Sequence, residues 1–337
     1  LSIIAIISAY DLKFISFKQA ENYIENIIGT INNLAKWNGH LYNWYDTKTL
    51  APLIPRYIST VDSGNYVGYL YILKEFLIEN KENVGFSPAV NQGIRKAKNS
   101  LIFSINNDTE IKKGSIKKLI DLITSSDDIF SVQAKMLQYN NKDLIDDVGD
   151  EYNLLAWTKK VGENHKSSEY VEVRDIFSSC AGAAMYNKSI LEEIGLFDDN
   201  FFAYMEDVDL AIRSRINGYR NLLCPEAIVY HIGSATSGSR YNEFKVKLAA
   251  RNNVWVVYKN IPIPLKILNF VFLFLGFLIK YIFFCKKGFG KTYMAGLREG
   301  LSTRSKIDKV KFESKNTKNY FKLEFRLIIN TIKFLKR

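Results

Sequence analysis

At 337 residues, with 47% hydrophobic and 24% charged side chains, the chain holds enough apolar matter for two ordinary domains, which excludes a disordered protein. Its formal charge of +11 sits at one end, because residues 286–337 carry fifteen Lys and Arg against four Asp and Glu; a tail of that kind behind an apolar run suits anionic lipid headgroups, and no nucleic-acid partner is expected. Cys180, Cys224 and Cys285 are odd in number and widely spaced, which excludes a disulfide framework and points to a reducing compartment.

Residues 1–9 are apolar but have no basic segment before them, no small-residue cleavage site and no initiator Met, so the chain reads as beginning within an element, as if truncated or spliced. From Phe14 to Trp37 a helical spacing places Phe17, Ala20, Tyr23, Ile24, Ile27, Ile28, Ile31 and Leu34 on one face. A dense loop follows from Asn38 to Asn65, and a second helix is expected from Val67 to Glu79.

From Val84 short apolar runs alternate with amphipathic helices, the pattern of a βαβ sheet. Helices are expected at Asn91–Lys98, Ser115–Thr124 with Ser115 as N-cap, Ser189–Gly195 and Met205–Asn217; strands are expected at Ser100–Ile105, Ile129–Met136, Cys180–Tyr186 and Asn221–Tyr230. Ile267 to Ile279 carries no charge between Lys266 and Lys280 and continues to Cys285. A full crossing needs about 20 apolar residues, so this segment reads first as an interfacial or re-entrant helix, with a span or a buried globular helix as alternatives. The domain division is 1–82 as a helical fragment, 83–260 as an α/β catalytic domain, and 261–337 as a membrane-associated helix with a basic tail.

Asn106, Asn107 and Asp108 follow an expected buried strand, where an α/β sheet places its ligand crevice. A carboxylate there can hold Mg²⁺ or Mn²⁺ against a diphosphate, or the residues form only a turn toward the next helix. Glu206, Asp207 and Asp209 crowd one helix start. Capping and the helix dipole would account for some of this, but Glu206 and Asp209 share a face while Asp207 points elsewhere. A carboxylate so placed can take the proton from an attacking hydroxyl, with Asp207 first for that role and Glu206 second. His231, closing its strand beside Gly233, can bind the metal or a phosphate, or be structural.

In order along the chain, these pieces resemble the family 2 glycosyltransferases, and in particular their rhamnosyltransferase-like branch. Asn83-Val84-Gly85-Phe86-Ser87 with Asn91-Gln92-Gly93-Ile94 is similar to an early family segment, and Asn106-Asn107-Asp108-Thr109 to a variant of its metal motif. Gly182-Ala183-Ala184-Met185 with Gly195-Leu196-Phe197-Asp198 resembles the stretch shaping the acceptor side. Tyr204 to Leu210 resembles the catalytic-base segment, Gly218-Tyr219 with Val229-Tyr230-His231 the closing strand, and Arg251-Asn252-Asn253 the Arg-Asn pair before a membrane-proximal helix. The resemblance implies a GT-A fold, a nucleotide-sugar donor, a divalent metal on Asp108 and His231, inversion at the anomeric carbon, and Gly182, Ala183 and Asp209 on the side of a glycan or lipid-linked acceptor. It implies work in surface polysaccharide synthesis at the cytoplasmic face of the inner membrane, the protein being peripheral or single-span.

The family's first βαβ unit, which holds the nucleotide, finds no match before Val84, so the GT-A sheet is expected to be incomplete and an inert chimera is the alternative. Trp37 to Thr47, Pro52 to Tyr57 and Ser59 to Asn65 resemble part of the glycoamylase-like domain of cyclic β-1,2-glucan synthases, where Asp46 and Asp62 would meet sugar. A glucan-processing protein led by this piece is the second alternative.

Overall fold

The computed structural model describes residues 2–37, 40–42, 44–56, 83–106, 108–232 and 241–336, which form two compact units, Leu1–Asn83 and Val84–Arg337. The expected helix at Val67–Glu79 and part of the Asn38–Asn65 loop, including all of 57–65, lie outside the described residues.

In the first unit, helix α1 (Ser2–Asp11) packs on α2 (Phe17–Asn33), followed by the short pair β1 (Lys36–Trp37) and β2 (His40–Leu41). Helix α2 starts three residues later than the periodicity predicts. Ser16 Oγ accepts from Gln19 N (3.3 Å) and Gln19 Oε1 accepts from Ser16 N (2.8 Å), and this reciprocal cap fixes the start. Its end moves from Trp37 back to Asn33, because Leu34 is already extended. The apolar face of α2 finds its partner in residues 3–10, with Ile3, Ala20 and Ile24 buried together; Tyr23, expected on that face, is exposed.

The second unit is mixed α/β. Its elements are α3 (Phe86–Lys96), β3 (Leu101–Ile105), β4 (Thr109–Ile111), α4 (Ser115–Ile123), β5 (Ile129–Gln138), β6 (Ile145–Asp147), β7 (Asp150–Tyr152), β8 (Thr158–Lys160), β9 (Arg174–Asp175), β10 (Ala183–Asn187), α5 (Lys188–Ile194), α6 (Glu206–Ile216) and β11 (Arg220–His231). The sheet runs β3-β10-β5-β11-β4, with β6 added beside β5 and β9 beside β11. Among the described residues of this sheet only β5 and β11 pair in parallel; the other pairings are antiparallel.

Strand β5 is buried from Ile129 to Leu137, as a central strand covered on both faces must be. Its side chains alternate in character. Val132, Ala134 and Met136 join Leu119 and Ile123 of α4 in one apolar core, while Ser131, Gln133 and Lys135 are polar and equally buried on the other face. That second face positions the site.

Two boundaries differ from the sequence reading for identifiable reasons. Helix α3 begins at Phe86 rather than Asn91, the Phe86 amide donating to Phe202 O (2.5 Å). Ser115 is the first residue of α4 rather than its cap, which is Gly114 in the left-handed region. The Ser115 hydroxyl instead donates to Ile228 O (2.9 Å) and accepts from Ile228 N (2.8 Å), closing the irregularity where β11 breaks register with β5 between Cys224 and Ile228.

Residues 261–337 pack within this same unit. Here α7 (Glu243–Asn260) leads to α8 (Ile263–Leu268), α9 (Phe270–Lys286), α10 (Gly290–Ser302) and α11 (Thr317–Leu335). Among the described residues no helix is long and apolar enough to cross a membrane. Helix α9 buries only Gly276 and leaves Phe270, Val271, Phe274, Leu275, Leu278 and Ile282 exposed.

Helix α10 approaches α7 so closely that a Cβ on Gly296 would lie 2.3 Å from Lys247 O. A glycine-to-alanine change inside a helix ordinarily stabilises by up to about 1 kcal/mol, and Gly93→Ala, whose Cβ would meet nothing within 4 Å, is expected to do so. Gly296→Ala is expected to destabilise by about 1–3 kcal/mol through overpacking, read as opposite shifts of the urea unfolding midpoint for the two variants.

Candidate active site

The polar face of β5 carries a chain of charge across one end of the sheet. Gln133 Nε2 donates to Asp147 Oδ1 (2.9 Å), which also accepts from Gly149 N (2.7 Å), and Gln133 Oε1 accepts from Cys180 N (2.7 Å). One glutamine thus ties the β6–β7 turn to the segment that leads into β10. Lys160, at the end of β8, sets its ammonium 3.5 Å from Asp147 Oδ2 and 3.6 Å from Asp146 Oδ2. Burial works against its charge, yet the two aspartates push its pKa above the usual lysine value.

Asp146 accepts from His231 Nδ1 (2.9 Å), and His231 Nε2 lies 3.3 Å from Asp108 Oδ1. The hydrogen bond to Asp146 raises the imidazole pKa despite burial, and the Asp108 charge adds to it. Asp108 owes its place to sheet pairing, since β4 and β11 match Thr109 with His231 and Asp108 O accepts from Ile232 N (3.0 Å). Asn106 lies beside it, its amide donating to Gly182 O (2.9 Å) and its carbonyl accepting from Thr109 Oγ1 (2.6 Å). Asn107 lies outside the described residues.

Asp207 enters from α6. Its carboxyl accepts from Val208 N (2.8 Å), and burial, with the Asp147 charge adding, pushes its pKa up to about 6. Glu206 rises to about 8 through burial and the neighbouring Asp207, and its Oε2 has no hydrogen-bond partner among the described residues. Asp150 rises well above its usual value for the same reasons, burial first and then Asp147 and Asp207. Three carboxyls and Lys160 therefore share one neighbourhood.

The turn that aims Asp207 is strained. Phe202, Tyr204 and Met205 all have positive φ (62°, 69° and 71°), a region that non-glycine residues rarely occupy. Asn252 holds it there, its Nδ2 donating to the carbonyls of Phe201 (2.9 Å), Ala203 (2.8 Å) and Tyr204 (2.7 Å). Asn253 does the same for the next loop, donating to Ala156 O (2.7 Å). The sequence motif Arg251-Asn252-Asn253 thus ties two site loops to α7.

Of the residues singled out from sequence, Asp108 and His231 are in contact, and Asp207 joins the same charged chain through Asp147 and Lys160. Gly182 borders Asn106, where a Cβ would lie 3.1 Å from Asn106 Nδ2. Ala183 turns its side chain into the apolar core beside Leu119. Asp209 is fully buried and faces away, paired with Arg213 (2.9 Å), Lys259 (3.1 Å) and Asn260 (2.8 Å), so burial is overcome and its pKa is lowered. It anchors α6 to α7. Asp46 spends its carboxylate on its own turn, accepting from Thr49 N (2.7 Å) and Lys48 N (3.0 Å); Asp62 lies outside the described residues.

The sequence reading missed Asp146, Asp147, Asp150, Lys160 and Gln133. Three acids within Asp146 to Asp150 were the available signal. Among the described residues no group of three or more His, Cys, Asp and Glu side chains could hold a metal alone. Asp108 and His231 could supply two ligands, with the imidazole oriented by Asp146 from behind, and Mg²⁺ or Mn²⁺ commonly completes its shell from phosphate and water. The donor set fits such an ion.

Residues 60–195 match the model of glycosyl transferase family 2, starting well ahead of Val84, and carry a glycosyltransferase domain of that family. A curated relative, the cyclic beta-(1,2)-glucan synthase NdvB of Rhizobium meliloti (strain 1021), is 43% identical over 68 residues, which is 20% of this chain and 2% of that protein. Similar solved structures include GalNAc-T7 with UDP, GalNAc and Mn²⁺ (18% identity, TM-score 0.42, 53% of this chain and 35% of that one). The mannosyltransferase PcManGT from Pyrobaculum calidifontis with GDP-Man and Mn²⁺ is another (14% identity, TM-score 0.39, 82% of this chain and 75% of that one). The chain thus spans only a small part of the curated relative and about a third of GalNAc-T7.

Asp207 releases its proton at higher pH in the folded than in the unfolded chain, so its ionisation costs stability between about pH 4 and 6 and the loss persists above. Asp207→Asn keeps an oxygen for the Val208 amide and is expected to raise the melting midpoint at pH 8 with little change at pH 4, as scanning fluorimetry would show. Asn252→Ala removes the side-chain donor shared by three carbonyls, of which Phe201 O keeps the Ala203 amide and Arg251, and is expected to lower stability by about 1–3 kcal/mol in denaturant titration.

Proposed function

We propose that this glycosyltransferase family 2 domain moves a sugar, with inversion, from a nucleotide-diphosphate donor to a hydroxyl of a glycan or lipid-linked acceptor in surface polysaccharide synthesis. The observation that carries this reading is the Asp207 carboxyl, lifted to about 6 and joined through Asp147, Lys160, Asp146 and His231 to Asp108. It supplies a base at one end of a charged chain and a cation-ready pair at the other. Mg²⁺ or Mn²⁺ held by Asp108 and His231 would neutralise charge on the departing diphosphate.

Asp207 accepts the proton of the acceptor hydroxyl as that oxygen bonds to the anomeric carbon and the bond to the diphosphate oxygen breaks. Glu206 keeps its proton to about pH 8, so it adds no negative charge beside Asp207 near neutrality and is the weaker choice of base. Lys160 holds Asp146 and Asp147 in place and helps to keep Asp146 in its charged form. Location at the cytoplasmic membrane surface is supported by the exposed apolar face of α9 and by the basic surplus of residues 286–337.

The test is donor turnover with Mn²⁺ and a panel of nucleotide sugars. Loss of a general base is expected to reduce transfer by about 10²–10⁴-fold in Asp207→Ala, and kcat/KM of the unaltered protein is expected to rise with pH through about 6 as Asp207 ionises. Transfer surviving Asp207→Ala, or absence of turnover with every donor, would overturn the reading.

A further inference from the structure

A cavity of about 1290 Å³ opens beside Tyr204 and Lys160 and extends between the β8 region and α9, bounded on the far side by Ile279, Lys280 and Phe283. Its shape depends on Gly276. A Cβ there would lie 2.1 Å from Leu155 O, so only glycine lets the α9 backbone rest on this loop, and Trp157 Nε1 donates to Gly276 O (2.9 Å) to hold it. Lys280, one turn further on, is thereby pointed into the cavity instead of toward solvent with its exposed neighbours.

The ammonium of Lys280 donates only to Ala156 O (3.4 Å), and among the described residues no carboxylate pairs with it. Burial pushes its pKa down to about 8. Lys159, on the same lining, has its ammonium 5.7 Å over the Phe334 ring and likewise no carboxylate among the described residues. Lys160 is different, being neutralised by Asp146 and Asp147. A half-buried ammonium without a counter-charge is less favourable than a paired one, and an anion entering the cavity would relieve it.

The chemistry of the walls then narrows the anion. Ile279 and Phe283 are 45% and 39% exposed and run directly into the bare face formed by Leu275, Leu278 and Ile282. At the opposite end, Thr158 and Tyr204 adjoin the turn of Met205, Thr158 Oγ1 lying 3.3 Å from Met205 Sδ. The cavity wall therefore carries more cations than its one carboxylate, Glu163, meets apolar surface at Ile279 and Phe283, and adjoins the Asp207 segment through Thr158 and Tyr204.

We infer that this cavity takes the phosphate of a lipid-linked acceptor, with the hydrocarbon chain leaving along Ile279 and Phe283 and the sugar hydroxyl reaching Asp207. The inference rests on the glycosyltransferase reading and selects one acceptor class within it. A neutral glycan would leave both lysines unsatisfied, and a soluble anion would make no use of the apolar mouth.

The test is calorimetric titration of the full chain, without donor, with dodecyl phosphate below its micellar concentration, and with inorganic phosphate and dodecyl maltoside as the two partial probes. Dodecyl phosphate is expected to bind at least about tenfold more tightly than either partial probe, and Lys280→Gln to weaken it by about tenfold, with Lys280→Arg restoring most of the loss. Lys159→Gln, on strand β8 rather than helix α9, provides a second variant should Lys280→Gln not fold. Inorganic phosphate binding as tightly would make this a free-phosphate site, dodecyl maltoside binding as tightly would make it a plain apolar groove, and indifference to both lysine variants would remove the recognition itself; each overturns the inference. Because no transfer is measured, a protein that binds dodecyl phosphate as expected but turns over no donor would overturn the glycosyltransferase reading and leave this binding site standing.

Discussion

The ammonium of Lys160, lodged between the carboxylates of Asp146 and Asp147, is the contact on which the site depends. Without a cation at that point, Asp146, Asp147, Asp150 and Asp207 would repel one another in a medium that screens poorly. With it, and with the His231 hydrogen bond, Asp146 is held below its usual pKa and orients His231, while Asp147 offers one oxygen to Lys160 and the other to the Gln133 and Gly149 donors. The compensation is partial. Burial and the surviving repulsion leave Asp207 and Glu206 with raised pKa values, the condition in which a carboxyl can exchange a proton near neutral pH.

The sheet supplies the rigidity that this arrangement requires. A central strand normally buries apolar side chains on both faces, but β5 gives one face to Ser131, Gln133 and Lys135, each with its own hydrogen bonds. Those bonds anchor the β6–β7 turn, the approach to β10 and the loop near Tyr170. The loops of the site are thus tied to the most buried strand, and on the other side to α7 through Asn252 and Asn253. Strain at Phe202, Tyr204 and Met205 persists because the surroundings over-determine it.

Helix α9 joins the site to a surface. Its glycine contact with Leu155 sets how deeply Lys280 reaches, while the remainder of the helix shows hydrocarbon to the outside. An apolar strip of this extent on a folded unit is characteristic of a contact surface. Its position beside the cationic cavity is what connects the proposed chemistry with a lipid.

The sequence by itself determined the four longer strands β3, β5, β10 and β11 and the helices among them, because hydrophobic period and turn residues are local properties, while the short strands β4 and β6 to β9 left no such signal; ordered short motifs brought out Asp108, Asp207 and His231 as a set. It also located the apolar segment after Lys266. It did not reveal Lys160, Asp146 or Gln133, since their importance comes from contacts between segments; Gln133 lies in an expected strand, but its partner Asp147, with Asp146 and Lys160, sits in short strands that carry no periodic signal. It set Asp207 on a different face from Asp209, but it could not show that Asp209, expected on the acceptor side, is consumed by Arg213, Lys259 and Asn260. Those assignments were decided only by tertiary structure, because the ionisation and role of a carboxylate depend on what is packed around it.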